Sequence, residues 1–267
     1  MPRAFAGLSL LLWVISASAA RAEGPSIQRT VALDARGAVS IETFKGAIDV
    51  QTWDESRAEI SARIEPDTGC GNNAQQMERV RLTKVDIDST PARLSIRSNY
   101  DALKGLDRIP MEIKGMNMEC NAHPFVLYRL RIPRTARLDI ADHKSKITVA
   151  GLQADARIAS HKGSVFVKEH DGGLDFRTHK GDAHVEFARL AESRLETYKG
   201  DIDVAVPRAA GFDLDARVER RGLLETPFTL DETQVGRRER IYEQKINGGG
   251  PLLELSTHNG RLRITEK

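Results

Sequence analysis

Along most of this chain apolar and polar residues change places at nearly every step, as in AVSIET, AIDVQT, AEISARI, ARIAS, VFVKE, LDFRT, DIDVAV and RLRI. Period-2 alternation predicts β-strands with one buried face and one wet face. A short helix is predicted at 74–81, where Asn72 or Asn73 can cap the first turn. No long helical pattern lies between the strands, so a βαβ or Rossmann arrangement is excluded.

The alternation is punctuated by one recurring phrase: ETFKG at 42–46, ADHKS at 141–145, ASHKG at 159–163, RTHKG at 177–181, ETYKG at 196–200 and STHNG at 256–260. The four central copies end at Ser145, Gly163, Gly181 and Gly200, at intervals of 18, 18 and 19 residues. A fixed period near 20 with strand-like alternation and a turn glycine predicts an all-β, right-handed β-solenoid. In the coil 152–170 the inward residues are Ala154, Ala156, Ile158 and Ser160, then Val165 and Val167 beyond a Lys162-Gly163 corner. In the next coil they are Leu174, Phe176 and Thr178, then Ala183, Val185 and Phe187. Turns at Arg36-Gly37 and Lys45-Gly46 are expected to separate the first strands.

Three columns follow from the register. The residue before each corner is inward and polar (Thr43, Asp142, Ser160, Thr178, Thr197, Thr257), a pattern suited to bonding backbone N–H groups at turns. Next comes an outward column of rings: Phe44, His143, His161, His179, Tyr198 and His258. Beside it run Lys45, Lys144, Lys162, Lys180 and Lys199. With coils about 4.8 Å apart, the rings are expected to stack on one another as a surface ladder. They would not converge on a metal, which needs ligands around a point rather than along a line. The lysines read as a solvated edge, with Glu42, Asp182, Glu196 and Asp201 near enough to neutralise several of them.

Residues 66–124 depart from the pattern. They hold the predicted helix, two strands (TKVDID and RLSIRS) around an Asp88-Ser89-Thr90-Pro91 turn, and a loop at 101–124. Cys70 and Cys120 bracket this excursion, and in an oxidising compartment such a pair predicts a disulfide. Closing a loop of about 50 residues would contribute roughly 4 kcal/mol in the chain-entropy view.

That compartment is implied by residues 1–22. A basic residue (Arg3), an apolar run at 8–15 and a small-residue site ending in Ala20-Arg21-Ala22 make a signal peptide. The run is too short to span a bilayer, and no cysteine near the cleavage site suggests a lipoprotein. One soluble domain at 23–267 is expected in the periplasm or outside the cell, with an excursion at 66–124 and regular coils with a C-terminal cap at 125–267. Loss of Arg3 and Arg21 leaves 38 basic against 38 acidic residues. A neutral chain with interspersed signs does not favour nucleic acid as a partner. The 5% aromatic content suits a thin core of Ile, Val, Leu and Ala.

The text INGGGPLLELSTHNGRLRI (246–264), the coil lead-ins RIPRTARLDI and VPRAAGFDLDA, and the stretch QQMERVRLTKVDID resemble the bacterial putative-adhesin family, whose members are exported β-strand-repeat proteins. The resemblance runs from about residue 27 to the end. This chain has Lys-Gly where the family often has Asn-Gly, and carries the Cys70–Cys120 excursion besides. The resemblance implies a β-helix-like fold and an envelope location, and it brings no catalytic residue.

The residues themselves offer no G-x-S-x-G, H-E-x-x-H or P-loop. Asp201-x-Asp203 is an isolated outward pair, not a carboxylate cluster of the kind a glycosidase needs. The expectation is a non-enzymatic envelope module without a cofactor, an adhesin-like scaffold or binding surface for a protein, glycan or cell-wall partner. The alternatives are a carbohydrate-active β-helix enzyme, or a pH- or metal-responsive envelope protein that uses the histidine column.

Overall fold

The computed structural model describes residues 25–69, 72–106, 108–113, 116–121, 123–219, 221–235 and 239–267, with the backbone alone over 108–121. Strands β1 (Ser26–Ala32), β2 (Ala38–Trp53) and β3 (Arg57–Glu65) open the chain. Helix α1 (Asn73–Leu82) follows. The Asn72 side chain accepts from the Gln75 amide while the Gln75 side chain accepts from the Asn72 N–H, a reciprocal cap at the expected position. Strands β4 (Lys84–Thr90) and β5 (Arg93–Asn99) then pair antiparallel.

The stretch expected as a loop at 101–124 is more ordered than that. A 3₁₀ turn at Asp101–Leu103 leads into β6 (Arg108–Ile113) and β7 (Met116–Asn121), which form a separate two-stranded antiparallel sheet. Ile109, Met111 and Ile113 facing Met116, Met118 and Cys120 in sequence carry the period of a hairpin, a signal masked by the Gly and Met content. The expected disulfide falls on Cys70 and on the side chain of Cys120, both outside the described residues, as is the signal peptide.

The remaining strands are β8 (Phe125–Pro133), β9 (Arg137–Ala150), β10 (Ala156–Lys162), β11 (Val165–Lys180) and β12 (Ala183–Lys199). After them come β13 (Ile202–Val206), β14 (Phe212–Glu219), β15 (Leu223–Glu225) and β16 (Glu232–Val235). The last are β17 (Glu239–Ile246), β18 (Leu252–Asn259) and β19 (Arg261–Glu266). All but β6 and β7 join one mixed sheet of 17 strands. Antiparallel pairs sit at its margins: β1 on β3, β3 on β8, β14 and β16 on β17. Its body is parallel. No helix among the described residues is long and apolar enough to cross a membrane.

Parallel pairing is in register over the recurring phrase, so like residues stack on like. Ile41, Ile140, Ile158, Phe176, Leu195 and Leu255 form one inward column. On the far side of the corners Val50, Val149, Val167, Val185, Val204 and Ile264 form another. All twelve are buried, each contributing about 1.5–3 kcal/mol on removal from water. The sequence-derived inward sets fall as expected, except that Ala154 and Ser160 are only half-buried.

At Lys45-Gly46 the expected turn is a bend: β2 runs unbroken from Ala38 to Trp53, and pairs with β9 on both sides of it. Gly163 makes the same bend at φ +134°, and a Cβ there would overlap the Ser145 carbonyl oxygen of the neighbouring rung. The chain turns its corner without leaving the ladder because the backbones lie too close there for a side chain. Replacing Gly163 by Val should destabilise the fold by about 3 kcal/mol, a fall in Tm of roughly 6–12 °C for a chain of this size. Ser164→Val, one position on, should shift Tm far less. Equal shifts in a thermal melt would contradict this placement of the corner.

Candidate functional site

The corner places the polar, ring and lysine columns side by side. In the polar column Thr43, Asp142, Ser160, Thr178, Thr197 and Thr257 pair in register. The expectation that they bond backbone N–H groups holds at Asp142, whose carboxylate accepts from the Ser145 N–H at 2.8 Å and the Ser145 hydroxyl at 2.6 Å. The threonines do otherwise. Thr197 donates to the Gly181 carbonyl at 3.1 Å and Thr257 to the Gly200 carbonyl at 3.2 Å. The corner N–H groups are already taken, since Gly163, Gly181 and Gly200 each donate to a carbonyl of the next rung. Carbonyls, with two lone pairs, still have room for a hydroxyl.

Two rungs are exceptional. Thr43 shares its hydroxyl with Ser98 at 2.8 Å, and Ser98 with the Tyr128 phenol at 2.7 Å, which ties the excursion to the first rung. Burial pushes the Tyr128 phenol well above its ordinary value and keeps it protonated. Asp142 is the one carboxylate in the column and accepts a further bond from Ser160 at 3.0 Å. Burial nevertheless raises its pKa, outweighing the stabilising bonds from Ser145 and Ser160.

The ring column is a continuous stack. Centroid separations from Phe44 through His143, His161, His179 and Tyr198 to His258 are 4.5, 4.7, 5.1, 5.0 and 4.5 Å, with interplanar angles of 12° or less. Phe44, His143, His161 and His258 are half-buried, while His179 and Tyr198 stand in solvent. Each face is covered by its neighbour, so ring edges are what the column offers outward. Sequence reasoning missed both ends. His123 and Tyr100 from the excursion extend the stack past Phe44, at 4.6 and 6.3 Å from its ring. At the other end Glu219 meets the Nδ1 of His258 at 2.7 Å. Neither lies in a copy of the recurring phrase, so no spacing marks it. Among the described residues no three His, Cys, Asp or Glu side chains are placed to share a metal ion.

Lys144, Lys162, Lys180 and Lys199 pair in register and are exposed. Lys45 shares the register but not the environment. It is only 6% exposed, ion-paired with Asp67, and its ammonium sits 4.5 Å from the Phe125 ring centre. The solvated row is therefore four lysines long. Of the four acids expected to neutralise it, Asp201 is paired with Arg261 at 3.1 Å and Glu196 with Arg194 at 3.4 Å. Asp182 accepts the Asp201 N–H at 2.9 Å, and neither Asp182 nor Glu42 is within ion-pair distance of the row. No ion pair joins any of the four lysines to a described residue.

The other outward columns differ in kind. Asp139, Arg157, Asp175, Arg194 and Glu254 line a trough of about 1010 Å³, and their charges mostly alternate in sign along it. Phe166 stacks on His184 at 4.9 Å, His184 meets Asp203 at 3.1 Å, and Arg263 bridges Asp203 to Glu225. An alignment on the 18-residue period would have revealed both.

No family model and no curated protein matches this chain. Solved structures do. A "putative cell adhesion protein" of Clostridium sporogenes superposes with a TM-score of 0.50 at 10% identity, covering 91% of this chain and 100% of its own. A "putative adhesin" of Bacteroides fragilis covers 91% and 97% at 11% identity and a TM-score of 0.38. A "putative lipid binding protein" of Parabacteroides distasonis covers 91% and 97% at 10% identity and 0.27. The first likeness is one of fold, the all-β class read from the sequence.

The imidazole of His143 lies below its ordinary value of 6.5, first through burial, then through His161 and the Lys162 and Lys144 ammoniums, with Asp142 pulling the other way. The folded chain takes up this proton less readily than the unfolded one. Its contribution to stability is therefore full above about 6.5 and declines as the pH falls through that value towards the lowered folded one. By NMR, the His143 midpoint should lie below that of an unfolded-peptide control. His143→Phe, which copies the Phe44 rung, should flatten the fall in Tm between about pH 7 and pH 5. An unshifted midpoint would rule this coupling out.

Proposed function

We propose that the chain is a non-enzymatic, adhesin-like binding module of the cell envelope, built as a single right-handed β-solenoid and exported by the segment 1–22. It works in the periplasm or outside the cell, with the Cys70–Cys120 bridge closing its excursion. The observation that carries the reading is the corner face, where a row of stacked ring edges and a row of four unpaired ammoniums run parallel to each other over successive rungs. A long, regular, open face of this kind suits an extended partner better than a small substrate, which needs an enclosing cleft. The cell-adhesion description of the Clostridium sporogenes protein supports the same reading.

A photoreactive benzophenone side chain in place of Tyr198, which is 50% exposed in the ring column, should crosslink the purified chain to isolated cell envelopes. The same group at Gln234, in the exposed strand β16, should not. No crosslink from either position would remove the binding role, and equal crosslinking from both would move the binding surface away from the corner.

A further inference from the structure

Several outward columns in this fold follow a rule of alternating sign, although Asp215 lies between Glu243 and Glu254. Asp139, Arg157, Asp175 and Arg194 alternate in sign rung by rung. So do Asp203, Arg263 and Glu225, and Arg177 lies beside Glu196. Charges one strand spacing apart, about 4.8 Å, then attract instead of repelling. Lys144, Lys162, Lys180 and Lys199 break this rule. They place four like charges in consecutive rungs, and no described carboxylate lies within ion-pair distance of them. The imidazoles of His143, His161 and His179 run alongside, and nearest-neighbour ring separations of 4.7 and 5.1 Å set the pitch of the face.

We propose, resting on the binding role above, that this face binds a linear anionic polysaccharide lying along the stacking axis, with one carboxylate or sulfate meeting one lysine per rung. Four facts of the structure specify the ligand. The positive charge has no ion-pair partner among the described residues, so the complement is anionic. It is a single file along one axis, so the complement is linear. The anion pitch must match one strand spacing, about 4.8 Å, which is close to one sugar of an extended chain. The ring faces are covered by each other, so sugars cannot stack flat on them; the imidazole edges instead supply N–H groups to ring hydroxyls and oxyanions. A nucleic-acid duplex is disfavoured, because Asp182, Glu196 and Asp201 flank the file where a wide, densely charged cylinder would need more cations.

The full chain would be titrated with a polygalacturonate oligomer, which carries a carboxylate on every sugar, and with its neutral methyl ester. Binding should be seen for the acid, not the ester, and should weaken as salt rises. The pair Lys162→Gln and Lys180→Gln should lower the affinity roughly tenfold or more, as expected for losing two exposed ion pairs. Lys84→Gln with Lys168→Gln, the same change in net charge elsewhere on the surface, should leave it unchanged, with thermal melts confirming that all variants fold. Absence of polygalacturonate binding, equal losses in both double variants, or tighter binding of duplex DNA would each overturn the proposal. If polygalacturonate fails while the benzophenone at 198 still crosslinks to envelopes, only the anionic glycan falls. If both fail, the binding role falls with it.

Discussion

Everything distinctive about this protein depends on backbone approaching backbone at the corners. Parallel strands pair in register on both sides of each bend, and the hydrogen bonds continue through it, from Gly163 to Lys180, Gly181 to Lys199 and Gly200 to Asn259. At Gly163, Gly181 and Gly200 that continuity requires residues without side chains, because the carbonyl of the adjacent rung presses in; Ser145 is the exception. Once the corners are locked, every position one period apart is brought to a common height, and columns are unavoidable. A one-residue slip would reverse the facing of a whole strand, so the core and the surface columns are held by the same constraint.

Columns make electrostatics one-dimensional. A residue's strongest interactions are with its counterparts above and below, and the sequence handles this in two ways. Acid and base alternate through Asp139, Arg157, Asp175 and Arg194, and repulsion is converted into attraction. In the ring column burial, His161 and the nearby lysines lower the pKa of His143, which favours its uncharged form. The lysine row keeps its repulsion, as does the shorter file of Glu243, Asp215 and Glu254. Asp201 and Glu196, which flank the lysines, are held instead by Arg261 and Arg194.

Much of this was legible in the chain itself. The period-2 alternation located nearly all the strands, the capping residues located α1, and the recurring phrase aligned the inward columns, because burial and turn geometry act locally and leave local marks. The hairpin of β6 and β7 was missed because its glycine and methionines read as loop. The burial of Lys45 was missed because its partners, Asp67 in the excursion and Phe125 at the start of β8, lie outside the recurring phrase. Likewise the hydroxyls of Thr197 and Thr257 turn to carbonyls instead of N–H groups for a reason visible only when adjacent rungs are stacked. Interactions between rungs were readable where they join equivalent positions and hidden where they join unrelated ones.

The two ends of the ring column are chemically unlike. At one end Phe44 lies under His123 and Tyr100; at the other His258 is fastened to the carboxylate of Glu219. A file that ends in packed rings on one side and in a carboxylate-bonded imidazole on the other has a head and a tail. Under the proposed binding role, a polymer laid along it would meet a different boundary at each of its two ends, and its direction would matter as well as its charge. Orientation, a property seldom available to a flat surface, is built into this one by its terminal rungs.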